Sequence, residues 1–138
     1  MGVEEEAIHQ LSAYTLNHGD PAFIHQHVVD AYAAQNANER TKPIAIAFAL
    51  AGLYLHVEKN LTGRQVQLAH MKMAKNKRDW PSFTLPAGRG AITERDVLAA
   101  PEGSKRDAMI EEWAAAVWTA FRHHRDTVVD LLRRCGIT

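Results

Sequence analysis

The chain has 138 residues, of which 46% are hydrophobic and 23% are charged, and its 16 basic and 16 acidic residues give a formal net charge of zero. This composition excludes a collagen-like, low-complexity or wholly disordered chain. The length is that of about one domain, so we expect residues 1–138 to form a single helical-bundle domain. Because no net charge draws the protein toward nucleic acid or an anionic membrane, we expect neither as a partner.

Cysteine usage and the N-terminal segment predict the compartment. Cys135 is the single cysteine, which excludes an internal disulfide and a cysteine-based zinc site. Residues 1–6 include three consecutive glutamates and lack the apolar core of a signal peptide. Both features favour a reducing, cytoplasmic location.

Helical periodicity describes the first half of the chain. A first helix ends at Gly19, and a second begins at Asp20, the predicted N-cap, and runs to about Asn36. A third helix begins at Pro43 and reads PIAIAFALAGLYLHV, 15 residues without an acidic or basic charge. This length is short of the roughly 20 residues that span a bilayer. A helix that is apolar on all sides is instead typical of the buried centre of a bundle.

The helical pattern is interrupted once in the second half. A capping box from Thr62 to Gln65 begins a fourth helix, which we expect to end near Lys77. Residues 78–92 contain several prolines and glycines, which cannot continue a helix. We expect this long irregular loop to lay its aromatic side chains over one mouth of the bundle.

The C-terminal region returns to helix. A second capping box at Thr93 begins a short helix, and a long last helix is predicted from Ser104 to about Cys135. The fold class is therefore all-α. We expect a bundle of four main helices plus short helices, with one long C-terminal helix and one long irregular loop.

One histidine lies where polar side chains are costly. On the last helix, His124 falls near the centre of an apolar stripe, between Phe121 and Val128. A buried imidazole needs a partner. It is either a structural histidine bonded to a carbonyl or carboxylate, or a ligand or proton carrier in the core.

The second and third helices carry similar residues. His27 lies on the apolar face of the second helix, Asp30 is three residues later, and His25 lies to one side. These residues form either a structural pair joining two helices or a metal or acid–base cluster. His56 ends a row of small residues on the third helix, where it either faces a neighbouring helix or interacts with the helix dipole.

These five residues are the candidate metal ligands, although their spacing matches no established motif. The sequence has no His-Glu-x-x-His, and it lacks the two copies of Glu-x-x-His that di-metal bundles carry. A site would therefore have to assemble from separate helices, and neither catalytic nor cofactor-binding residues can be assigned. The candidate ligands are His25, His27, Asp30, His56 and His124.

Three segments of the chain share a pattern of polar and aromatic residues: His25, Asp30-Ala31-Tyr32, Gln35, the Trp80-Pro81 loop leading to Ile92-Thr93 and Asp96-Val97, Trp113, Val117-Trp118 and His123-His124. Together these segments resemble a family of small bacterial helical proteins known only as a domain of unknown function. The resemblance is strongest over residues 20–132. Members commonly begin with a Cys-x-x-Cys-type segment and have a histidine near the position of Ala49; this chain has neither, and His56 is the candidate to substitute. The resemblance implies no activity, but it implies that its shared polar residues recur together.

Three functions are compatible with these observations. The leading hypothesis is a small cytoplasmic protein of unknown physiological role that holds a divalent metal or a small polar ligand in a His/Asp-lined pocket beneath the loop. The first alternative is a metal-dependent hydrolase that uses the same residues, which would need an open coordination position and an adjacent cleft. The second is a non-catalytic structural or interaction protein, for which we expect a homodimer.

Overall fold

Regular structure in the described residues, which are 3–17, 19–75 and 79–137, is helical without a strand. The predicted all-α class is confirmed. The described residues do not include residues 1 and 2, the predicted end of the fourth helix near Lys77, or Arg78, where the predicted loop begins. Over the described ranges, the computed structural model has α1 (Val3–Leu16), α2 (His25–Gln35), α3 (Pro43–Val57), α4 (Gly63–Ala74), α5 (Glu94–Ala99), α6 (Ser104–Ala120), a 3-10 turn (Arg122–His124) and α7 (Arg125–Arg134).

Helix α3 is the centre of the bundle. Ten of its 15 residues are buried, and it packs against α2, α4, α6 and α7. Pro43 occupies its first turn, where the missing N–H costs no helical hydrogen bond. The prediction of a central buried helix is confirmed. Among the described helices, none combines the length and apolar character needed to cross a membrane.

The chain between α1 and α2 differs from the prediction. Asp20 does not cap α2; its Oδ1 accepts a hydrogen bond from the Ala22 N–H at 2.9 Å, which closes a separate turn. Phe23 then adopts a left-handed φ of 60°, and α2 begins at His25. The carboxylate satisfies a local backbone donor, as aspartate does in turns, and this delays the helix.

The turn before α2 is held against the first turn of α4. The Arg64 N–H donates to the Ala22 carbonyl at 2.7 Å. Gly63 permits this approach, because a Cβ at that position would overlap the Phe23 carbonyl oxygen. The predicted capping box at Thr62 is present. These contacts place the two loops side by side at one end of the α2–α3 pair.

Hydrogen bonds join the irregular loop before α5 to the C-terminal end of α2. The Arg89 guanidinium donates to the carbonyls of Ala34, Gln35 and Ala37 at 3.3, 3.1 and 2.9 Å, which satisfies acceptors that a helix end leaves open. The Gln35 side-chain amide donates to the Ile92 carbonyl at 2.6 Å and accepts from the Trp113 indole at 3.0 Å. Gln35 therefore joins α2, the loop and α6.

The last helical segment is divided, whereas the periodicity predicts one continuous helix. Helix α6 ends at Ala120, and the 3-10 turn separates it from α7. Within the turn, the His124 N–H donates to the Phe121 carbonyl at 2.9 Å, and the His124 ring contacts the loop. The bend lets α7 pack on α3, so long-range packing overrides local helical preference.

Candidate functional site

Two of the five candidate ligands meet across the α2–α3 interface. The rings of His27 and His56 stack with their centroids 3.4 Å apart and an interplanar angle of 16°. Only 4% of His27 and 8% of His56 is exposed to solvent. The stacking buries two imidazoles together in an apolar interface, where each needs polar partners.

Glu111 of α6 completes the cluster. Its Oε2 lies 2.5 Å from Nε2 of His56, and 53% of its side chain is exposed. Nδ1 of His56 donates to the Leu61 carbonyl at 2.8 Å, because a carbonyl can only accept. This bond orients the ring and directs Nε2 at the carboxylate. A backbone carbonyl plays the same part behind many metal-binding histidines.

Glu111 is the residue that sequence reasoning missed. It stands beside Ile110 of the apolar stripe, but it is one of 16 acidic residues and no motif spacing marks it. Its place near His56 depends on how α6 crosses α3. No local signal could have found it.

The three side chains have different affinities for protons. Burial, reinforced by the neighbouring His56, lowers the pKa of His27 to about 4. Burial also acts to lower the pKa of His56, but its hydrogen bonds to Glu111 and to the Leu61 carbonyl outweigh burial and raise it. The hydrogen bond to His56 lowers the pKa of Glu111, against the opposing effect of burial. At neutral pH His27 is therefore neutral. The 2.5 Å contact between Nε2 of His56 and Oε2 of Glu111 is the geometry of a shared proton.

One nitrogen of this cluster lacks a partner. Nδ1 of His27 is buried and makes no hydrogen bond within the part of the chain that the structure describes. A buried polar atom in that state needs an explanation, and a bound ion is one of them. The shared proton gives His56 and Glu111 a hydrogen bond to each other, but it provides no partner for Nδ1 of His27.

The spacing of the three residues suits a metal ion. One ligand atom from each of His27, His56 and Glu111 lies within 4.8 Å of the other two. Ligands of one tetrahedral zinc ion, with bonds of about 2.1 Å, lie about 3.4 Å apart. Because the two imidazole rings are stacked and a metal binds in the plane of each ring, the side chains would have to turn toward one another to hold one ion.

The cluster lines an open pocket of about 260 Å³. Its walls come from the two loops held side by side before α2 and before α4. Phe23, within the first loop, and Asn60, in the second, adopt left-handed φ values of 60° and 59°. Strained backbone of this kind is concentrated at binding and catalytic sites. The lining residues besides the cluster are Asp20, Ala22, Ile24, Asn60, Leu61, Thr62 and Gly63.

Asp30 belongs to a second polar cluster, one turn further along α2. Gln26 donates to Asp30 Oδ1 at 3.2 Å and to His70 Nδ1 at 3.4 Å, while His70 Nε2 donates to the Phe48 carbonyl at 2.7 Å. The other Asp30 oxygen, Oδ2, has no partner among the described residues. Burial raises the pKa of Asp30 well above its usual value, because it disfavours the charged carboxylate.

The remaining two candidates lie elsewhere. His25 pairs with the Thr15 hydroxyl, 2.8 Å from its Nδ1. His124 is half-buried, donates to the Thr84 carbonyl at 2.7 Å and meets the edge of the Phe83 ring. The structure thus groups His27 with His56, and it places neither His25 nor His124 in that cluster.

The chain belongs to DUF5946, a family of unknown function whose sequence model matches residues 5–122. The resemblance to an uncharacterised family is confirmed. The matched region contains the three residues of the cluster, and it ends where the 3-10 turn begins. No curated protein and no solved structure matches the chain.

Proposed function

We propose that this protein binds a divalent transition metal ion, with zinc as the best-suited ion, through His27, His56 and Glu111. The observation that carries the proposal is the buried Nδ1 of His27, which lacks a partner among the described residues beside two potential ligands. Two imidazoles and one carboxylate form a donor set that zinc accepts.

The chemistry of the apo cluster is consistent with this function. A proton lies between His56 and Glu111, so a cation would replace it and the two side chains would become ligands. His27 is neutral at pH 7 because its pKa is about 4, and its lone pair needs no deprotonation. The Leu61 carbonyl would hold the His56 ring in place in both states.

A purely structural role predicts different behaviour. In that case the cluster only joins α2, α3 and α6, and zinc would not stabilise the fold. Binding to the native state alone raises the midpoint of thermal unfolding as the ligand concentration rises above Kd, by an amount that grows with its logarithm. Zinc titration of the unfolding midpoint therefore separates the two roles.

Calorimetric titration with Zn²⁺, and with Co²⁺ as a spectroscopic substitute, tests the proposal. We expect one ion per chain, a rise in the thermal midpoint that a chelator reverses, and visible Co²⁺ bands typical of four-coordination. Glu111→Gln and His27→Ala should each weaken binding strongly. Glu112→Gln and His123→Ala, at exposed positions in α6 and in the 3-10 turn, are the matched controls and should bind as wild type does. Equal binding by all four variants would refute the site.

A further inference from the structure

We propose that the same site hydrolyses small uncharged esters, an inference that rests on the metal site proposed above. Three protein ligands leave the fourth position of a tetrahedral zinc ion open, as in catalytic zinc sites, whereas structural sites are closed by four ligands. His27, His56 and Glu111 all line the pocket, so the open position would face it.

The pocket provides the cleft that such a reaction requires. Its volume of about 260 Å³ is below the roughly 300–1,000 Å³ of sites for drug-sized ligands, so the substrate is small. Ala22, Ile24 and Leu61 supply apolar surface, while Asn60 and Thr62 supply polar atoms. The two left-handed loop residues fix these walls before a substrate binds.

Charge selects the class of substrate. Among the described residues that line the pocket, Asp20 and Glu111 are acidic and none is a lysine or an arginine. Their two negative charges offset the two positive charges of the ion, and ionisation of the bound water would leave the site negative. A phosphate ester or another anion would be repelled, whereas an uncharged ester would not.

The reaction consumes one water molecule and one ester. Water held at the open position would lose a proton to the solvent, and its oxygen would form a new bond to the ester carbonyl carbon. The bond from that carbon to the alcohol oxygen then breaks, and the leaving alcohol takes up the proton. The products are a carboxylic acid and an alcohol, and no oxidant or further reactant is needed.

The test uses zinc-loaded full-length protein with p-nitrophenyl acetate as the uncharged probe and p-nitrophenyl phosphate as the anionic one. We expect zinc-dependent release of p-nitrophenol from the acetate only. Ala22→Phe, which fills the pocket without removing a ligand, should abolish release and still bind zinc by calorimetry. Ala33→Phe, an exposed position on α2, should retain the full rate. Circular dichroism checks that both variants fold.

The outcomes distinguish the two proposals. Zinc bound without any gain in rate over the zinc-free protein would overturn the hydrolysis inference alone. An Ala22→Phe variant as fast as wild type would show that the reaction does not occur in the pocket, and equal cleavage of the phosphate would overturn the substrate class. Failure to bind zinc would overturn the proposed function and this inference with it.

Discussion

The carboxyl group of Asp30 lies directly against the backbone of Gly52. A Cβ atom at position 52 would overlap Asp30 Oδ2 and would lie 3.1 Å from His70 Nε2. Glycine thus lets α2 and α3 approach closely at this level, one turn from the stacked His27 and His56. The contact sets the helix separation that allows those rings to stack.

Gly52→Ala should therefore destabilise the protein through steric overlap. We expect a loss of about 1–3 kcal/mol in the free energy of unfolding, the usual cost of overpacking a core. Because the overlap is with Asp30, the double variant with Asp30→Ala should lose less than the sum of the two single changes. Chemical denaturation of the full cycle measures this coupling. Gly88→Ala, where a Cβ meets no atom within 4 Å, is the control, and additive losses would contradict the steric explanation.

Asp30→Asn should change how stability depends on pH. Burial raises the pKa of Asp30 above 3.8, so the folded state keeps a proton that the unfolded state loses. Stability is then lost as the pH rises from about 3.8 toward the pKa of the folded state. Asparagine has a similar shape and cannot ionise. We expect the variant to gain stability relative to wild type as the pH rises above 3.8, measured by urea denaturation, and the exposed Asp126→Asn to show no such gain.

In metal-free protein, His27 should make the stability depend on pH in the opposite direction to Asp30. Its pKa is about 4 in the folded state and 6.5 in the unfolded state, so unfolding takes up a proton between these values. Stability should fall as the pH drops through this window, by on the order of 3 kcal/mol in total. His27→Phe should make the loss shallower by about that amount, measured with chelator present. The exposed His9→Phe should keep the wild-type slope; the same slope in both variants would contradict the assignment.

Gln35→Ala should loosen the loop as well as lower stability. The change removes the partners of the Trp113 indole and the Ile92 carbonyl, and buried groups left unsatisfied cost about 1–3 kcal/mol each. We expect faster amide hydrogen exchange and faster tryptic cleavage at Arg89. Gln10→Ala, exposed on α1, is the control. Protection of the loop equal to wild type would show that Arg89 alone holds it.

His124→Ala should leave zinc binding intact. The His124 ring contacts Thr84 and Phe83 of the loop rather than the cluster. We expect a small loss of stability, about 1 kcal/mol, since one hydrogen bond of a half-buried side chain is removed. Calorimetry should give the wild-type zinc affinity, and a clear weakening would place His124 in the site after all.

Local rules predicted much of the fold and part of the site. The buried α3 and the capping boxes at Thr62 and Thr93 depend on neighbouring residues, and all three are confirmed. The break at residues 122–124 contains neither glycine nor proline, and it depends on contacts with a distant loop. The sequence marks His27 and His56 as candidate ligands because burying a polar side chain in an apolar helix costs free energy. Glu111 is exposed, and only the packing of α6 places it beside His56. The single domain and the homodimer stay predictions.

The position of α3 has a consequence for synthesis of the chain. Residues 43–57 leave the ribosome early, yet α6 and α7, which cover part of their apolar surface, are complete only at residue 134. Helices α2 and α4 can cover the other sides sooner. Until the C-terminal helices emerge, one face of α3 has no intramolecular cover and can associate with other chains. A chain that stops before Arg125 should consequently aggregate in size-exclusion chromatography, and production of the full-length protein should benefit from slow expression or a chaperone that shields α3.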